Sequence, residues 1–244
     1  MCKTEEPFHC KDYDFIGSRR DGGFAEFCLV PQENVFQLPH HAEFETGAFI
    51  EPILVSLHVL RTAHLNSQDS VLVIGAGPIG NLTAQWAQIL GAERVLITDI
   101  REKSLEIARS SGLQAIPSHG AEIKSNGPFS LIVEAAGSNK ALETTLEQID
   151  HKGRIVVVGR ETGDTVVHRS IFEDFMRKES RIIGCWGYKI KDDEQILLHS
   201  LKKNLLKIQP LISHRFFLSE GVKIVGEMWK RKFFYCKVLF DIGE

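Results

Sequence analysis

The sequence predicts an α/β protein: a doubly wound parallel sheet flanked by an antiparallel β domain. Three observations predict it. Short β-branched apolar runs alternate with helical patterns from Val71 to Gly187, as in parallel strands buried on both faces. A glycine turn, Gly75-Ala76-Gly77-Pro78-Ile79-Gly80, joins the first of these strands to the first helix. Residues 1–57 are instead turn-rich, with short alternating segments such as Gly23-Phe24-Ala25-Glu26-Phe27-Cys28-Leu29-Val30, the pattern of antiparallel strands with one wet face.

The elements follow in order. Val71-Leu72-Val73-Ile74 is a fully buried strand, and Ile79, Leu82, Trp86 and Ile89 recur at the spacing of one helix face. Arg94–Thr98 is the second strand, Glu102–Ser110 a helix, and Gln114–Ile116 a short strand. Leu131–Gly137 reads as a buried strand ending in small residues, and Leu142, Leu146 and Ile149 as one helix face. Arg154–Gly159 and Arg181–Gly184 complete six strands joined by helical crossovers. Beyond them lie a helix (Ile196, Leu197, Leu201, Leu205), a strand over 211–216, a helix (Val222, Val225, Trp229) and a closing strand, Lys237–Phe240. The expected domains are 1–57, 58–188 and 189–244, with chain from both ends building the second region.

The glycine turn has a chemical reading. Gly75 permits the tight turn out of the strand, Gly77 lets backbone approach a pyrophosphate, and Gly80 lets helix and sheet pack closely. A helix beginning at Pro78 and Ile79 offers unpaired N–H groups to phosphates. Asp99 follows 19 residues after Gly80, where a carboxylate accepts from the adenosine ribose hydroxyls and repels a 2′-phosphate. NAD is therefore favoured over NADP, while the nearby Arg101 pulls the other way. A lone glycine motif is weak evidence; strand, turn, helix, strand and acid together make the dinucleotide-binding (Rossmann) fingerprint. Ala135 and Gly159 fall at carboxyl ends of strands, where such sheets bind ligands. Small residues there leave room for a cofactor and equally suit ordinary turns.

Composition narrows the class. The balance of 29 basic and 32 acidic residues leaves no footprint for nucleic acid. No apolar run is long enough to span a membrane, and the first twenty residues are too charged for a signal peptide. Five cysteines at mostly wide spacing suggest no disulfide framework. The expectation is a soluble cytoplasmic protein.

The motifs Tyr13–Glu26, Gly47-Ala48-Phe49-Ile50-Glu51-Pro52, Gly75–Gly80 and Pro210–Arg215, in this arrangement, resemble the medium-chain zinc-dependent alcohol and polyol dehydrogenases. The resemblance runs from about Cys2 to the C-terminus. It implies a GroES-like β catalytic domain beside the Rossmann domain, and hydride transfer from a secondary alcohol of a polyol or polyol phosphate to NAD. It also implies a homodimer through the edge strand near Arg181–Trp186. Glu51 matches a residue placed at or next to the catalytic zinc. Cys2 and Cys10 match the third and fourth cysteines of the family's structural zinc lobe. The family's other ligands would lie upstream, so the resemblance implies an N-terminally truncated chain with neither zinc site intact. Glu51 alone cannot hold zinc, which takes about three protein ligands at a catalytic site. Turnover would then need the missing segment. The alternative is a non-catalytic NAD-binding module; a zinc-free reductase would have no use for Glu51, Cys2 and Cys10.

Other residues carry less. Arg19 and Arg20 suit a substrate phosphate and equally a solvated turn. His58 reads as a packing or capping histidine, and His40-His41 as loop. Arg177 and Lys178 read as helix-end charges, and Lys230-Arg231-Lys232 as a solvated helix end. Cys28, Cys185 and Cys236 lie in apolar surroundings and read as buried.

Overall fold

The computed structural model describes residues 10, 12, 14–40, 42–118, 120–161 and 163–243. Two compact units emerge, one of Phe49–Leu211 and one of the chain before Phe49 together with Ile212 onward.

The larger unit is the predicted α/β sheet. Its strands are β1 (Ser70–Ile74), β2 (Arg94–Asp99), β3 (Gln114–Pro117), β4 (Phe129–Glu134), β5 (Ile149–Val157) and β6 (Arg181–Gly184). All pair in parallel, in the order β3-β2-β1-β4-β5-β6. The chain direction across the sheet therefore reverses between β1 and β4, which is the switch point where such folds open a crevice. At that point Ile74 is in register with both Thr98 and Glu134.

Side-chain alternation divides the core. Leu72, Ile74, Leu96 and Ile132 cluster with Ile123, Ala141 and Leu146, which lie on α5 (Gly120–Asn126) and α6 (Asn139–Gln148). Val73 points the other way, toward α3 (Pro78–Ile89). The wholly buried Trp86 of α3 donates its indole N–H to Ile53 O on α2 (Ile50–Thr62) at 3.1 Å. α6 starts where Ser138 Oγ accepts from Ala141 N–H, a side-chain cap for an otherwise unpaired donor.

The helical face expected to include Ile149 ends at Gln148, and Ile149 opens β5 instead. The helices α4 (Glu102–Ser110) and α8 (Ile190–Lys202) lie where the sequence places helices, and α7 (Arg169–Arg177) ends at the helix-end charges Arg177 and Lys178, while α5 has no counterpart in the sequence pattern. α2 and α8 group with the sheet rather than with the flanks. α2 buries Ile53, Leu57 and Leu60, and Arg61 of α2 pairs at 3.0 Å with the buried Asp193 of α8.

The amino ends of the strands are tied by charge. Buried Asp69 accepts from Asn66 N–H at 2.8 Å and Ser130 Oγ at 2.7 Å, and pairs with Arg154. Arg154 also donates to the carbonyls of Ala63 and His64, each at 2.8 Å.

The smaller unit holds α1 (Phe44–Gly47), β7 (Ile212–Phe217), α9 (Gly221–Trp229) and β8 (Lys237–Asp241). β7 and β8 pair in parallel. The helical connection through α9 returns the chain to the starting end, as a parallel pair requires. Gly23–Val30 forms no strand. Among the described residues no strand pairs with it, and Phe27 and Leu29 are about nine-tenths exposed. Cys28, expected to be buried, is exposed for the same reason, and Cys236 is only half-buried. Within this unit Arg215 Nη2 reaches Glu45 Oε2 at 3.1 Å. Phe24 meets Phe240 edge to face with centroids 5.3 Å apart.

Candidate functional site

The crevice over β1 and β4 is built by turns whose glycines differ in purpose. Gly75 has φ +105°, and a Cβ there would stand 2.7 Å from Ala136 N and 2.8 Å from Ala135 C. A Cβ on Gly80 would overlap the Gly75 carbonyl oxygen and lie 3.3 Å from Val73 Cγ1. Both positions are glycine because the protein's own backbone fills the space. A Cβ on Gly77 would meet nothing within 4 Å. The open position is therefore the one where a ligand can approach backbone.

Gly77 is also the N-cap of α3, with Pro78 at the first helical position and no side-chain cap. Proline has no N–H to waste there and its φ suits the first turn. The early amides of the helix, including Ile79 and Gly80, point forward without helical acceptors, an arrangement suited to an anion. Gly77, Pro78 and Ile79 reach the surface, while Gly75, Ala76 and Gly80 are buried.

Two acids flank β1. Asp99, at the end of β2, is buried; its Oδ2 accepts from Ala76 N–H at 2.9 Å and its Oδ1 from Arg101 N–H at 2.8 Å. The Arg101 guanidinium lies 3.3 Å from the same Oδ1 and is half exposed. Asp99 thus holds the glycine turn.

Glu134, at the end of β4, is also buried. Its Oε1 accepts from Ala136 N–H at 2.9 Å and Gly137 N–H at 2.8 Å. Burial pushes its carboxyl above the ordinary value, against the pull of these backbone donors. Its main-chain oxygen accepts from Val158 and Gly159 N–H, each at 2.9 Å. A Cβ on Gly159 would overlap Glu134 Oε2 and Gly137 N, so Gly159 is small to fit Glu134. Ala135 and Gly159, at the carboxyl ends of β4 and β5, are half-buried. From sequence alone Glu134 is no more than part of a strand. Its signal is legible: one acid at the end of the apolar run Leu131-Ile132-Val133.

The other candidates are scattered. Glu51 sits exposed in the first turn of α2. Its charge raises the Tyr188 hydroxyl pKa, after the larger effect of burial. His58 Nε2 lies 3.5 Å from Thr62 Oγ1 on the same helix. Cys185 is buried and its thiol pushed up by burial. In the smaller unit, Arg20 pairs with Asp14, and Arg19 N–H donates to Phe15 O at 2.9 Å in the same turn. Cys10 is a half-buried free thiol. Cys2, His9, Tyr13 and His41 lie outside the described residues. Among the described residues no three His, Cys, Asp or Glu side chains gather to hold a metal ion. Glu51 with its described neighbours therefore does not fit a zinc ion.

Parallel order, reversal at β1/β4 and a ligand-accessible glycine turn together define a Rossmann-type α/β protein. A family model described as zinc-binding dehydrogenase matches residues 78–203, and the chain belongs to that family. Galactitol 1-phosphate 5-dehydrogenase of Escherichia coli K12 is 36% identical over 218 residues, covering 84% of this chain and 63% of the relative. The chain thus spans just under two thirds of that curated relative's length. The crystal structure of galactitol-1-phosphate dehydrogenase from Escherichia coli superposes with a TM-score of 0.86 at 36% identity, covering 94% of this chain and 70% of that one. A short chain alcohol dehydrogenase of E. coli CFT073, solved with NADH, superposes with a TM-score of 0.85 at 25% identity, covering 97% and 71%. Among the described residues no helix is long and apolar enough to cross a membrane.

Proposed function

We propose that this chain binds NAD across the β1/β4 crevice and serves the oxidation of a secondary alcohol of a polyol, in phosphorylated form, to a ketone. The carrying observation is the open Gly77 between two closed glycines, at the head of α3. In this reading the pyrophosphate lies against Gly77 and the amides of Ile79 and Gly80, with Pro78 fixing the first turn. Asp99 accepts from the adenosine ribose, and its charge selects NAD over NADP; Arg101 borders the same pocket. Ala135 and Gly159 line the far half. Bound there, the nicotinamide accepts a hydride.

The alcohol side is carried by kinship to the galactitol 1-phosphate relative. Glu51, in the first turn of α2, is the acid assigned to the reacting end. Arg19 and Arg20 are assigned to a substrate phosphate, with Asp14 as the partner Arg20 would share. Pairing of two copies along β6 is supported by the exposed Ile182 and Trp186 at that sheet edge. Cys10, Cys28 and Cys185, held as free thiols, suit a cytoplasmic setting.

A second reading, a dinucleotide-binding module without alcohol chemistry of its own, is favoured by the lack of a metal-holding cluster among the described residues. Calorimetric titration with NADH and NADPH, with zinc content and polyol-phosphate oxidation measured on the same preparation, separates the two. NADH binding with polyol-phosphate turnover supports the first. NADH binding without turnover supports the second. A folded chain that binds neither nucleotide overturns both.

A further inference from the structure

Glu134 lies under the crevice without belonging to the glycine fingerprint. It ends β4, in register with Ile74 of β1 and Val157 of β5. Its side chain folds back and accepts from both Ala136 and Gly137 N–H. Its main-chain oxygen takes two more donors from the end of β5. One residue therefore fixes the turns after β4 and β5 together. A third contact links them to the glycine turn, since Ala135 N–H donates to Ile74 O at 2.8 Å and Ala136 N is the atom that closes on Gly75.

A dinucleotide in this fold places one mononucleotide on each side of the switch point. Asp99 assigns the adenosine to the β1–β2 side, which leaves the nicotinamide half over β4 and β5. We propose that Glu134 is a positioning residue for the nicotinamide half of the cofactor: its carboxyl group holds Ala135–Gly137 and Gly159 in the shape that receives that half, without touching the adenosine half. The proposal rests on the dinucleotide reading. The carboxyl group acts here as an acceptor of backbone N–H, and a glutamine oxygen does the same. Alanine leaves two amides without their acceptor and opens the space against Gly159.

The test measures NADH and AMP binding to the full chain by calorimetry, for wild type, Glu134→Ala and Glu134→Gln. The expected result is about tenfold weaker NADH binding in Glu134→Ala, a tenfold change being one decade in Kd. AMP affinity should stay near wild type in that variant, and Glu134→Gln should restore NADH binding. Equal loss of NADH and AMP affinity would mark a general structural role and overturn the proposal, as would wild-type NADH binding in Glu134→Ala. If Glu134→Ala does not fold, Glu134→Asp takes its place. Its carboxyl group is one methylene too short to reach both amides, so it should lose NADH and keep AMP, and unchanged NADH binding would overturn the proposal. A folded wild-type chain that binds neither NADH nor AMP would sink the dinucleotide reading itself, and this proposal with it.

Discussion

Gly77 and Gly80 stand three residues apart in one motif, yet their substitution should have opposite consequences. In Gly80→Ala the new methyl overlaps the Gly75 carbonyl oxygen, stands 3.0 Å from its carbon and presses on Val73 Cγ1 at 3.3 Å. Two of these atoms are backbone of the strand-to-helix turn and cannot turn aside as a flexible side chain would. α3 must lift from β1, at a cost of about 1–3 kcal/mol for overpacking. For a chain of this size each kcal/mol lowers the melting temperature by roughly 2–4 °C. Gly77→Ala meets nothing within 4 Å. Its φ of −70° and ψ of −176° are ordinary for alanine, and a poorer N-cap costs about 1 kcal/mol or less. The Gly77 methyl would stand where the pyrophosphate must approach, and should weaken NADH binding at least tenfold, about 1.4 kcal/mol. Thermal melts and NADH titrations of both variants decide the matter. Gly77→Ala should melt close to wild type and bind poorly, whereas Gly80→Ala should melt early. A stable Gly77→Ala that binds NADH as wild type does would refute the placement of the phosphates.

Three further outcomes follow from the same structure. Arg154→Leu strips the partner from Asp69 and from two carbonyls at the amino end of the sheet; urea denaturation should show a loss of about 3–5 kcal/mol, the usual consequence of leaving one buried charge unpaired. The raised carboxyl of Glu134 means the folded state holds its proton more tightly than the unfolded chain does. Its contribution is thus full below the ordinary carboxyl value and lost as pH rises through the raised one; stability curves of wild type minus Glu134→Gln should slope downward across that window, and a flat difference would contradict the shift. Thiol labelling with mass mapping should find Cys28 modified at least about tenfold faster than Cys185, because Cys28 is exposed and burial raises the Cys185 thiol.

The sequence by itself determined the parallel sheet and the position of its glycine turn. Both are written in local order: apolar runs of strand length, helix-period spacing at Ile79, Leu82 and Trp86, and an acid a fixed distance on. All six strands lie where those runs lie. Only the tertiary structure distinguished the three glycines. Gly75 and Gly80 are closed by atoms from Ala135–Ala136 and from the turn itself, while Gly77 faces open space, and no spacing rule encodes what stands opposite a hydrogen atom. Glu134 escaped for the same reason: its role depends on Gly137 and Gly159 folding against it. The smaller unit reads least well from sequence. The alternating pattern at Gly23–Val30 promises a strand, but a strand exists only with a partner to take its hydrogen bonds, and none of the described strands pairs with it. Periodicity reports which face of a segment is apolar; whether that face becomes buried, and against which atoms, is settled by residues far away in the chain.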